Sequence, residues 1–326
     1  MTGVRGFLLR RLLYNVFTVF AIVTLIFVLF RATPGDPTTF LVDTTFDPEV
    51  RQEILRKFGL DKPLWQQYLV YWGNLARGDL GVSFVSHRPV IEELGDVLPN
   101  TLILALTSFL FAYVLGALMG VFLAARRGKL IDSLGISLTL FFRSAPIFWV
   151  GMILLMLLSF KLGWFPAGRL RDVGYETTGG LDKYLNLDFL HHLFLPTLVA
   201  GLYLAALPVM LTRNTLLEVL GEDYIELARA KGLPESVILF KHGFRNAILP
   251  VVTAATVYVG LAIAGMVEIE MVFSWPGVGR LIVLAVRSHD YPVAQGAFLL
   301  LAVMNSFMSL IADLAYAYLD PRIVYK

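Results

Sequence analysis

Six apolar stretches, at 12–30, 101–125, 133–160, 193–212, 246–267 and 291–312, alternate with polar segments along the chain. A helix crossing a hydrocarbon layer about 30 Å thick needs about 20 residues at 1.5 Å each, and every stretch is near or above that length. The pattern predicts an all-α membrane protein with six transmembrane helices. Five stretches carry no charge. The third, 133–160, holds Arg143, Ser144 and Pro146, and fully helical it would run about 42 Å. A bend near Pro146 is expected there. Pro196, Pro208 and Pro250 mark further bends or span starts, since neighbouring helices can satisfy the carbonyls that proline frees.

An even number of spans puts both termini on one side, and the basic residues choose the side. With the N-terminus inside, the short inner segments hold thirteen Lys and Arg, among them Arg10, Arg11, Arg126, Arg127, Lys129 and Arg213, against six in the two short outer loops. That asymmetry predicts an N-in, C-in topology. The long first loop, 31–100, is external and left out of the count. It carries two amphipathic runs. Asp47, Pro48 and Gly59 have the residue types of a helix start and stop, with Val50, Ile54, Leu55 and Phe58 on one face between them. After Pro63 come Leu64, Trp65, Tyr68, Leu69, Tyr71, Trp72 and Leu75, an aromatic set suited to the membrane interface. Two readings stand for this loop: a docking surface for an external partner, or a cap over the bundle. The resulting division is 1–30, N-terminus and first span; 31–100, extracytoplasmic loop; 101–318, a core of five spans with a cytoplasmic loop at 221–246; and 319–326, a cytoplasmic tail.

Composition narrows the chemistry. Of 326 residues 57% are hydrophobic and 16% charged, against about 25% charged in soluble domains, which places the chain in the membrane class. The net charge of +2 gives no reason to expect nucleic acid as a partner. Cys is absent, so disulfides, thiolate metal sites and thiol catalysis are excluded. The phosphate-cradling GxxxxGK[ST] loop, HExxH and GxSxG do not occur, and no catalytic residue is assigned. His191 and His192 are adjacent, about 100° apart on a helix, and make a poor metal pair. An intramembrane enzyme would need a nucleophile and base converging within spans. A stand-alone ion-coupled carrier would need midplane charges or repeated halves. Arg143 is the one deep charge, read either as snorkelling or bonding carbonyls freed by Pro146, or as lining a substrate path. Glu268 and Glu270 close the fifth span on the outer side. Gly116 and Gly120 form a GxxxG pair that suits either packing within the chain or a partner helix.

The polar segment between the fourth and fifth spans, 222–246, is the feature that presents a surface to water. Acids stand early and Arg229 and Lys231 late in its first helix, matching the helix dipole. Gly232 suits a left-handed stop, and Leu233-Pro234 restarts a second short helix to about Ala247. Tyr224, Leu227, Ala228 and Lys231 share a face, and Ala228 and Ala230 are small enough to seat in a partner's groove. A hairpin lying on the bilayer is the other reading of this segment, and its sparse apolar face weighs against it.

At these residues the sequence resembles the permeases of binding-protein-dependent ABC importers. Glu226-Leu227-Ala228 followed three residues later by Gly232 is similar to their EAA loop, and the run through Val251-Val252 is similar to the dipeptide/oligopeptide/nickel branch. Leu227 stands where the general motif prefers alanine, and Ile248-Leu249-Pro250 comes later than in the general pattern, as in that branch. Arg10-Arg11-Leu12-Leu13, Pro34-Gly35-Asp36-Pro37, Gly59-Leu60-Asp61, Gly78-Asp79-Leu80-Gly81, Glu270 to Phe273, Ser274-Trp275-Pro276-Gly277-Val278-Gly279-Arg280, Asp290-Tyr291-Pro292 and Asp320-Pro321-Arg322 extend the resemblance over nearly the whole chain. It implies a type I ABC importer permease in the cytoplasmic (inner) membrane of a prokaryote, paired with a homologous second permease. It also implies two ABC ATPase subunits, which carry ATP and Mg while this chain binds no cofactor, and an external solute-binding protein. Tyr224, Glu226, Leu227, Ala228, Arg229, Ala230 and Gly232 would then form the ATPase-coupling element of an alternating-access transporter. Arg143, Pro146 and Glu270 are the pathway or structural candidates. The branch carries dipeptides, longer peptides, nickel chelates, glutathione or oligosaccharides; peptides are the expected cargo.

Overall fold

The computed structural model describes residues 4–32, 62–175, 180–264 and 266–319. The first amphipathic run of the outer loop, at 47–59, and the 320–326 tail lie outside the described residues. Those described are helical and irregular, with one isolated antiparallel bridge between Val82 and Pro89.

Helix α1 (Val4–Ala32) is followed by α2 (Leu64–Ala76) and the 35-residue α3 (Val90–Ala124). Then come α4 (Leu130–Ser144) and α5 (Ile147–Leu154), which continues in wider π-helical turns over Leu155–Lys161. Helices α6 (Leu187–Leu204), α7 (Ala206–Val219) and α8 (Asp223–Ala230) lead to a helical turn at Glu235–Val237. That turn runs through a π-helical stretch, Ile238–Phe244, into α9 (Arg245–Ala264). The chain closes with α10 (Val267–Val272), α11 (Val278–Arg287) and α12 (Tyr291–Leu319).

Helix α3 is the axis of the bundle, packed along α6, α7 and α9, while α1 lies on α12. Among the described residues four helices, α1, α3, α6 and α12, are long and apolar enough to cross a membrane, and α4 with α5 adds a fifth candidate if that bent pair is one span. Two of the expected spans differ from continuous helices. The stretch 133–160 bends where expected, and sharply: α4 and α5 meet at 106°, with Ala145 and Pro146 between them. The stretch 193–212 is divided at Ala205. Pro208 has no N–H to return to the Leu204 carbonyl, so one helix ends at Leu204 and Pro208 falls in the first turn of the next, where it is tolerated.

The small-residue pair in α3 packs within the chain. A Cβ on Gly116 would come 2.6 Å from Pro208 Cγ, and one on Gly120 would come 2.6 Å from Thr212 Cβ, so both glycines let α7 approach the α3 backbone. The second amphipathic run forms α2 as expected. Its Tyr71, Trp72 and Leu75 pack on Val19, Ile22, Val23 and Ile26 of α1, and Tyr68 Oη lies 2.7 Å from Thr24 Oγ1. The opposite face leaves Leu64, Trp65 and Leu69 exposed.

Candidate functional site

Polar chemistry gathers at three places: the α8 hairpin at one end of the bundle, a buried carboxylate at the other, and a cleft at the α4–α5 break.

Helix α8 has Glu222 at its N-cap and Asp223 and Glu226 in its first turn, with Arg229 in its last, so both ends are matched to the dipole. It stops in a Schellman arrangement. Gly232 N–H donates to the Arg229 carbonyl (2.9 Å) and Leu233 N–H to the Ala228 carbonyl (3.3 Å), with Gly232 at φ +74°. Pro234 then accepts from Val237 and Ile238 and starts the next helical turn. The restart is where the sequence places it, but the second helix is not a short one ending near Ala247. Its π-helical turns feed directly into α9, so the hairpin is continuous with that helix. Asn246 Nδ2 donates to Tyr224 Oη (2.8 Å) across the hairpin.

The apolar face of α8 is used within the chain. Ile225, Ala228 and Ile238 are buried together against Leu220. This corrects the expected face: Ala228 seats the helix on its own support, while Tyr224 and Leu227 are exposed at 41% and 56%. Glu226, Arg229, Ala230 and Gly232 are exposed as well. The residues expected to act together are therefore near one another, but Ala228 points the opposite way from the rest. The Arg229–Glu235 pair (3.1 Å) is solvent-exposed and contributes little, on the order of 0.5 kcal/mol. Below the hairpin Arg213 grips Asp132 through two bonds, Nε to Oδ1 at 2.8 Å and Nη2 to Oδ2 at 2.7 Å, and Gly128 N–H donates to the same carboxylate at 3.2 Å. That pair ties α7, α4 and the turn after α3 together; 81 residues separate its members, and spacing gave no sign of it.

At the other end Glu270 is fully buried. Thr101 Oγ1 donates to Oε1 (2.6 Å) and Arg280 N–H to Oε2 (2.9 Å), while Val278 N–H donates to Thr101 Oγ1 (2.8 Å). The carboxyl sits at the N-terminus of α11, where backbone N–H groups face outward. Burial pushes its pKa above the ordinary 4.5, and the donors from Thr101, Arg280 and Gly279 pull it partly back. Trp275, also fully buried, donates its Nε1–H to the Asn100 carbonyl (3.0 Å), and Asn100 Nδ2 donates to the Pro276 carbonyl (2.7 Å). The geometry satisfies Glu270 within its own chain. Asn100 and Thr101, which complete its cradle, had no signal in the sequence. Asp290 accepts from Ser83 Oγ (2.5 Å) and Phe84 N–H (3.1 Å), fastening the segment between α2 and α3 to the start of α12.

At the break, Arg143 does not bond the carbonyls near Pro146. Its guanidinium lies 4.3 Å from the centroid of the Tyr203 ring, a cation–π contact. Arg143, Ser144, Pro146, Phe148, Tyr203 and Glu268 line a cleft of about 460 Å³. His191 and His192 point to different partners: His191 Nε2 meets the Trp164 carbonyl at 2.8 Å, and His192 Nδ1 the Asp188 carbonyl at 2.9 Å.

Comparison with known proteins sets these sites in context. Residues 114–325 match the family model described as binding-protein-dependent transport system inner membrane component, and residues 4–105 match its N-terminal counterpart. A di/tripeptide transport system permease protein of Pseudomonas aeruginosa is 41% identical over 333 residues, covering 98% of this chain and 99% of its own length. An oligopeptide transport system permease protein of Bacillus subtilis is 42% identical over 323 residues, with the same coverage. In fold, the chain resembles one from the MetNI methionine ABC transporter, solved in inward-facing conformations: TM-score 0.54, 19% identity, 71% of this chain and 97% of that one.

Proposed function

The chain belongs to the family of binding-protein-dependent transport system inner membrane components, the permeases of ABC importers, and on that premise we propose that it carries di- or oligopeptides inward, driven by ATP hydrolysed on other chains. It is a multi-pass inner-membrane transport subunit rather than an enzyme. The peptide assignment follows the relatives named for di/tripeptides and oligopeptides. In this reading six spans cross the membrane with both termini in the cytoplasm. The core is 101–318, and the 31–100 loop faces the binding protein. A homologous second permease encloses the path with it, and two ABC ATPase subunits hold the ATP and Mg.

The observation that carries the reading is the construction of the α8 hairpin. Its apolar side is sealed onto Leu220 and Ile238, its polar side and Tyr224 and Leu227 are left exposed, and its second arm runs on into α9, the fifth span of this reading. A lever of this kind converts a push on α8 into a rotation of α9, the rigid-body switching that alternating access requires. ATP binding would close the ATPases, bring two such hairpins together and open the path outward; release would return it.

The test is reconstitution. The permease pair, ATPases and binding protein in liposomes should accumulate a labelled dipeptide only with ATP. Substrate flux through this chain without any ATPase would overturn the proposal. The chain is free of Cys, so Glu226→Cys provides one thiol, expected to cross-link to a cysteine in the cleft of the ATPase; a Lys62→Cys control should not.

A further inference from the structure

The α4–α5 break is a different kind of feature from the helix ends around it. Helix α4 starts after the basic turn at 126–129, and its 15 residues reach about 22 Å, short of a hydrocarbon layer of about 30 Å. On the topology proposed above, the break lies at membrane depth. Pro146 has no N–H for the Phe142 carbonyl, and Arg143, Ser144 and Pro146 are exposed. Irregular backbone at that depth is tolerated only where it is covered by protein or faces water. Here this chain leaves it uncovered, and it opens on the 460 Å³ cleft.

The cleft has charges of both signs. Arg143 comes from the end of α4 and Glu268 from α10, and both line it. Among the described residues neither has an ion-pair partner; the Arg143 guanidinium meets only the Tyr203 ring. An isolated charge at membrane depth, as Arg143 is on this topology, is costly and marks a ligand or ion path when retained. The volume is within the range of about 300–1,000 Å³ of small-molecule sites. A ligand complementary to it would be small, carry one anionic and one cationic end, and tolerate apolar and aromatic walls from Phe148 and Tyr203. Neutral sugars lack both ends.

We propose that this cleft is a subsite for zwitterionic peptides on the import path, Arg143 receiving the terminal carboxylate and Glu268 the terminal ammonium. The assignment rests on the peptide-importer reading above. Glu270, two residues on, takes no part: it points into the protein and is saturated by its own chain.

The experiment uses the complete transporter in liposomes, with a membrane-impermeant methanethiosulfonate on both sides. Ser144→Cys is the only thiol in this chain, and its labelling is followed on this chain by mass spectrometry. It should react, and millimolar dialanine should slow the reaction, whereas dialanine acetylated and amidated at its ends should not. Adding Arg143→Gln or Glu268→Gln should abolish the protection. Each of these charge variants, with Ser144 intact, should lower ATP-driven dialanine uptake roughly tenfold, the worth of one charge-assisted contact, while binding-protein-stimulated ATP hydrolysis persists. Arg143→Lys should restore most of the uptake. An unreactive Ser144→Cys, protection that survives both charge variants, or wild-type uptake by both would overturn the subsite. Absence of dialanine uptake by the wild-type complex would instead overturn the importer reading, and the labelling would still report on the cleft by itself.

Discussion

Two junctions of this protein share a plan and use it in opposite ways. Each is a short helix, a turn with a critical glycine, and a second helix: α8, Gly232 and the turn into α9; α10, Gly277 and α11. At the first, polar groups point outward and apolar ones seal the hairpin to the bundle. At the second, the carboxylate points inward and is satisfied by its own chain. The glycines differ in the same sense. Gly232 is there for its left-handed φ of +74°, with nothing within 4 Å of a would-be Cβ. Gly277 has an ordinary φ of −116°, but a Cβ there would lie 2.1 Å from Glu270 Oε1. One glycine supplies conformation and the other supplies space. A polar cluster that satisfies itself is part of the scaffold; one that leaves its groups exposed is available to a partner.

The largest effect should come from filling that space. Gly277→Ala must expel the Glu270 carboxyl and strand the Thr101 and Arg280 donors, at a cost of about 4 kcal/mol. The expected result is a permease that aggregates on size exclusion in mild detergent. Next is Glu270→Gln. An amide can accept at one position only and presents an N–H where either the Thr101 hydroxyl or the Arg280 N–H now donates, so one buried donor is orphaned, at about 2 kcal/mol. This variant also has a pH signature. With the folded pKa raised above 4.5, the folded state holds more protons than the unfolded one between the two values. Stability from this group is therefore full below 4.5 and lost as pH rises through the folded pKa. The difference in Tm between wild type and Glu270→Gln should shrink as pH rises; a constant difference would mean that the carboxyl does not titrate on unfolding.

The two junctions were not equally legible in the sequence. Gly232 and Pro234 are local signals, since a left-handed stop and a restart are written in consecutive residues, and both stand where expected. The Glu270 cradle is not local. Thr101 is 169 residues away, and hydropathy contains no information about which threonine meets which carboxylate. The same limit explains Ala228. Helical spacing shows which residues share a side, but whether that side meets the chain's own Ile238 or another protein is a tertiary fact. It explains the division at Ala205 too: Pro208 is visible in the sequence, but neighbours decide whether a proline bends a span or ends a helix.

A mid-sized effect is expected at Gly232. A β-branched residue in the left-handed region costs about 2 kcal/mol, so Gly232→Val should loosen the Schellman stop while the spans insert and the protein stays monodisperse. Coupled uptake, measured as labelled dipeptide accumulated per ATP hydrolysed, should fall at least tenfold, on the order of the same energy. Gly232→Asn sharpens the contrast with Gly277. Asparagine tolerates positive φ and meets nothing within 4 Å here, so near-normal coupling is expected. Equal damage from Asn and Val would show that Gly232, like Gly277, is needed for space, in a groove formed with another chain.

The smallest effect separates contact from support on α8 itself. Arg229 pairs with Glu235 at 3.1 Å, both side chains largely in solvent. Breaking such a pair costs no more than about 0.5 kcal/mol of stability, so Arg229→Ala should leave Tm within a degree or two of wild type. If α8 meets an ATPase, the same substitution removes a charge from an interface and should weaken assembly, measured as a higher concentration of ATPase subunits for half-maximal coupled uptake. Raising the salt should weaken wild-type assembly toward the variant, because exposed charges are screened beyond about 8 Å at physiological ionic strength. Ile225→Ala is the opposite case: it empties a buried position behind the helix and should lower Tm at every ATPase concentration. A variant pair in which Arg229→Ala lowers Tm and Ile225→Ala lowers only affinity would reverse the assignment of the two faces.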